Sequence, residues 1–117
     1  MGMEGTFEGV KTHPEIKEPH FRAEGWYSTV RYGTLAYFAL YVPKGSKVKE
    51  INEGAGDFCY TYYLVITPDG KEYAFKVFHG NAYDPGVGRE IDVEVFKKKE
   101  RERRIIEEAE KVNPEPV

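Results

Sequence analysis

Residues 34–42 read TLAYFALYV, a run bounded by Gly33 and Pro43. Its alanines and leucines would suit a helix, but its shortness and its punctuation favour a strand. Taken with period two, Leu35, Tyr37, Ala39 and Tyr41 share one face, and Ala36, Phe38, Leu40 and Val42 share the other. Both faces are apolar, so the strand should be covered on both sides. A β reading here makes the whole chain mainly β, because the runs on either side fit the same period.

Upstream, residues 21–32 read as a strand joined to this one near Gly33, and a short strand over 5–11 precedes the segment THPEIKEPH at 12–20. Its two prolines mark that segment as irregular or extended. Downstream, PKGSK turns the chain, KVKEI reads as a short edge strand, and NEGAGD at 52–57 reads as a loop. FCYTYYLVIT, 58–67, is again two-faced. Pro68-Asp69-Gly70 then carries strong hairpin chemistry, with proline pre-setting φ and glycine free to take a positive one. The return strand KEYAFKVF puts Tyr73, Phe75 and Val77 on one face. After a connection at 79–90, EIDVEVF repeats the alternation with Ile91, Val93 and Val95 inward.

From Lys97 the character changes. KKKERERRIIEEAEKV is built of helix formers, with Ile105, Ala109 and Val112 in a narrow stripe and Ile106 beside it. Pairs four apart, such as Glu100–Arg104 and Arg104–Glu108, support a helix over 97–112 that ends at Asn113-Pro114. The expected fold is a small antiparallel half-closed barrel or strongly curved sheet, OB-like or SH3-like in size, with one C-terminal helix. The expected organisation is a single domain over 1–117. It has a partly irregular segment at 1–20, a β domain at 21–96, a helix at 97–112 and a tail at 113–117.

Composition narrows the function classes. Of 117 residues, 40% are hydrophobic and 32% charged, which is a globular balance, and the net charge of −3 offers no whole-molecule attraction to polyanions. Charge is segregated, however. Residues 97–104 hold six basic and two acidic side chains, a local +4, while 105–117 hold one lysine and four glutamates, a local −3. The one cysteine, Cys59, excludes an internal disulfide and sits in an apolar run, where a buried thiol is expected. Abundant Lys, Glu and Arg with few Met and Cys match the composition of thermophile proteins. The N-terminal stretch has no apolar core of a signal peptide, and no run is long enough for a membrane span. A cytoplasmic protein without membrane contact is the expectation.

No catalytic residue, metal ligand set or cofactor motif emerges. Gly86-Val-Gly88 lacks the third glycine and the following helix of a dinucleotide fingerprint, and no P-loop is present. His13, Glu15, Glu18, His20 and His79 have metal-binding chemistry without metal-site spacing. Binding is therefore favoured over an enzyme, whose site would have to be assembled from segments distant in the sequence. Nine tyrosines and seven phenylalanines exceed the needs of so small a core. Exposed aromatics beside cations stack and neutralise single-stranded nucleic acid. They serve equally well as anchors in a protein interface or a homo-oligomer, or as the lining of a barrel cavity that takes a small ligand. The candidate binding residues are Tyr60 and Tyr62, the loop residues His79, Tyr83 and Arg89, and Lys97, Lys98, Lys99 and Arg101 of the basic block.

Overall fold

The computed structural model of the chain describes residues 2–112. Seven strands are followed by one helix: β1 Met3–His13, β2 His20–Thr29, β3 Gly33–Pro43, β4 Lys47–Ala55, β5 Phe58–Ile66, β6 Glu72–Phe78, β7 Gly86–Ile91 and α1 Val93–Val112. They form a single sheet in the order β2-β3-β1-β7-β6-β5-β4. The mainly β class with a C-terminal helix is therefore as the sequence indicated. TLAYFALYV lies within β3, and Pro68-Asp69-Gly70 closes the β5–β6 hairpin, the Thr67 amide donating to the Lys71 carbonyl at 2.9 Å and the Gly70 amide to the Thr67 carbonyl at 2.8 Å.

The sheet is neither the expected half-closed barrel nor a strongly curled one. Its edges, β2 and β4, are not joined, and β1 pairs with β3 in parallel. It is nevertheless bent enough that Phe21 of β2 reaches Phe75 of β6, their ring centroids 5.4 Å apart. Four strand spacings separate those strands, about 19 Å in a flat sheet. The bend wraps the inner face around Leu40, Val42, Tyr63, Val65, Phe75 and Val77. Gly88 makes room for this: a Cβ there would stand 2.7 Å from Phe21 and 2.8 Å from Phe38. The inner face of TLAYFALYV is fully buried at Phe38, Leu40 and Val42, whereas Leu35, Tyr37 and Tyr41 on its outer face are only half-buried.

Four further expectations need correction. The strand expected over 5–11 is present as the longer β1, but it lies inside the sheet rather than ahead of the β domain, and the irregular link to β2 is confined to residues 14–19. Strand β7 occupies 86–91 rather than 90–96, and α1 starts at Val93 rather than Lys97. Asp92 caps it, its Oδ1 accepting from the Glu94 amide at 2.9 Å. The basic block consequently starts beyond the first turn, where Glu94 suits the helix dipole. Cys59 is exposed, because the β4–β5 hairpin runs past the core and leaves residues 52–59 in solvent. The predicted tail at 113–117 lies outside the described residues.

On the outer face, Phe96 of α1 is completely buried among Ile51, Tyr62, Leu64 and Ala74. The helix covers only one end of strands β4–β7 and leaves the rest of that face open.

Candidate functional site: an aromatic and basic face on β5, β6 and β7

Strand register assembles the uncovered part of the outer face. Tyr60 pairs with Phe78, and Phe78 with Val87. In the adjoining row Tyr62 pairs with Lys76, and Lys76 with Arg89. The Tyr60 and Phe78 rings lie 5.3 Å apart at 37°, and the Lys76 ammonium stands 4.7 Å from the Tyr60 ring centre. A shallow recess of about 290 Å³ is lined by Tyr60, Lys76, Phe78, Val87 and Arg89.

Like charges directly opposed across a sheet repel each other. Lys76 and Arg89 are so opposed, and among the described residues neither makes an ion pair. The flanks are acidic, with Glu53 across from Tyr60 and Glu4 across from Val87. Glu53 is taken up by Lys99 at 2.7 Å, and the same hydrogen bond raises the Lys99 pKa above its ordinary value.

The basic block divides. Lys97 binds Glu72 at 3.0 Å, and Lys99 lies over Tyr62, so these two fasten α1 to its own sheet. Lys98 and Arg101 are exposed. Tyr62 is only 4% exposed and offers no stacking surface. Of the sequence candidates, Tyr60 and Arg89 meet on the open face, with Lys99 at its border. Lys76, Phe78 and Val87 were not among them, although the outward alternation Ala74, Lys76, Phe78 in KEYAFKVF carries the signal.

His79 and Tyr83 belong to a different place, the rim where the 79–85 connection meets the β2–β3 hairpin. Asn81 organises that connection: its Oδ1 accepts from the Tyr83 and Asp84 amides at 2.7 and 2.8 Å, and its Nδ2 donates to the Asp57 carbonyl. Arg31 donates to the Ala82 carbonyl at 2.8 Å while lying over Tyr83. Gly80 takes a φ of +84°, whereas Gly86 serves packing. A Cβ on Gly86 would come within 2.5 Å of the Gly5 carbonyl oxygen. The N-terminal histidines make local bonds only, His13 Nδ1 accepting from Glu15 N and His20 Nδ1 donating to the Glu18 carbonyl. Among the described residues no group of three or more His, Cys, Asp or Glu is placed to hold a metal.

Thr61 donates its proton to Asn52 Oδ1 at 2.8 Å, so the 2.6 Å contact with His79 Nε2 requires that nitrogen to be the donor. The ring also lies edge-on to Phe7, and desolvation there lowers the His79 pKa below its ordinary 6.5. The unfolded chain then takes up a proton before the folded one does. Stability is full above about pH 6.5 and falls as pH drops through the lower folded value. In thermal melts, His79→Gln should flatten the loss that sets in below about pH 6.5 in wild type. Equal slopes in the two proteins would contradict this. A second, more acidic loss comes from Glu24, held below its ordinary value by hydrogen bonds from Tyr41 and Lys11.

The class of molecule defined by fold and surface is an open mixed β-sheet capped at one end by a helix, with an aromatic and basic face left uncovered beside it. Comparison with protein-family models, curated proteins and solved structures finds no match. Among the described residues no helix is long and apolar enough to cross a membrane.

Proposed function

We propose that the open face of β5–β7 binds single-stranded nucleic acid, a base stacking on Tyr60 and Phe78 while neighbouring phosphates meet Lys76 and Arg89. The observation that carries this reading is the opposed, unpaired Lys76–Arg89 couple beside an aromatic pair. An anion relieves the repulsion between the two cations, and the adjacent rings supply the contact every base can use. The acidic flanks keep the footprint small, so affinity is modest and independent of sequence.

Titration of a fluorescent oligothymidylate at low salt tests it. Two neutralised phosphates give a slope of log K against log salt of about −1.4, from about −0.7 each on single strands. Lys76→Gln halves that slope. Tyr60→Ala costs about 1–3 kcal/mol, or roughly 5- to 150-fold in Kd. No binding at low salt, or a slope untouched by Lys76→Gln, would remove the proposal.

A further inference from the structure

A different surface points to a second copy of the chain. At 3.6 residues per turn, Ile105 lies about two and a half turns beyond Phe96 and therefore on the opposite side of α1. Phe96 is buried on its own sheet, while Ile105 is 65% exposed and Ile106 57%. Residues 101–110 are exposed throughout, and among the described residues the hydrogen bonds to the sheet on this half reduce to Arg103 donating to the Asn52 carbonyl at 2.8 Å. A helical half-length of this kind is marginal in water without packing. Nothing in its own sheet can cover Ile105, which faces away from it, whereas Ile106 stands about 80° from Phe96 and borders a recess shared with Ile51 of β4.

Charge decides what can. Residues 97–104 carry +4 and residues 105–110 carry −3, three glutamates without a base. Parallel pairing of two such helices would set like against like. Antiparallel pairing sets the basic half of each against the acidic half of the other, with Ile105 at the centre and Arg101 facing Glu108 of the second copy. We infer that α1 is an antiparallel self-association surface, producing a sheet–helix–helix–sheet dimer. One helix pair buries less than the roughly 1,200 Å² of stable complexes, so this dimer dissociates on dilution.

Sedimentation equilibrium of the full chain reads the result. Wild type should move towards twice the chain mass as concentration rises, whereas Ile105→Glu should stay a single chain whose sheet melts at the wild-type temperature. Arg101→Glu/Arg104→Glu and Glu107→Lys/Glu108→Lys should each be single chains alone and form a mixed dimer when combined. Wild type remaining a single chain at the highest attainable concentration would overturn the inference. So would a dimer that survives Ile105→Glu, or charge-reversed variants that do not pair on mixing.

Discussion

Gly5→Ala is expected to abolish the native fold. Gly5 sits in the middle of the sheet, paired in parallel with Ala36 and antiparallel with Gly86. Its φ of +148° is rarely open to a side chain, and a Cβ there would fall 1.4 Å from the Ala36 carbonyl oxygen. That is closer than any non-bonded contact, and the obstacle is backbone, so no rotamer change relieves it. β1 would have to leave β3, parting the bent half of the sheet from the rest. A loss on the order of 4 kcal/mol or more is expected, the extreme of single substitutions. It is comparable with the whole stability of a small domain. Urea unfolding followed by circular dichroism checks it, and a midpoint like that of wild type would be the contrary result.

Phe96→Ala is expected to release α1. The ring fills the space between helix and sheet, and truncating a fully buried phenylalanine costs about 3–5 kcal/mol. The ion pairs Lys97–Glu72, Lys99–Glu53 and Lys49–Glu100 also join helix to sheet. Exposed pairs contribute at most about 1 kcal/mol each, which does not replace the anchor. Far-ultraviolet circular dichroism should therefore show helix lost at temperatures where the sheet persists. A helical signal that melts together with the sheet, at the wild-type temperature, would show that Phe96 is not the anchor.

The parts of the fold legible in the sequence are those set by short-range chemistry. Gly33 and Pro43 bound β3 as their backbone preferences suggest, and Pro68-Asp69-Gly70 turns one strand onto the next. The parts that were hidden depend on residues far apart in the chain. Gly86 and Gly88 look like loop residues, yet they lie in β7 because the Gly5 carbonyl and the Phe21 and Phe38 rings occupy the space a side chain would need. EIDVEVF alternates like a strand. Its Asp92 caps a helix instead, and Val93 and Phe96, three apart, take the period of the helix that follows. Closure into a barrel was a plausible way to protect edges. Here the aromatic cluster around Phe21 bends the sheet and fills the inner face without joining β2 to β4.

The candidate site was half legible for the same reason. Composition pointed to surplus tyrosines and to the basic block, and Tyr60 and Arg89 do fall on the open face. The neighbours that give them meaning, Lys76 and Phe78, come from the registers of β6 with β5 and β7. Lys97 and Lys99 read as free charge in the sequence but bind glutamates of the sheet once α1 is docked. Tyr62 reads as surplus but lies beneath the helix.

The most direct test of the central claim is an NMR titration of the full chain with a short oligothymidylate at low salt. The expected result is amide shift changes clustered at Tyr60, Lys76, Phe78, Val87 and Arg89, reversed by added salt. Changes confined to the exposed side of α1 around Lys98 and Arg101, or none at all, would contradict it.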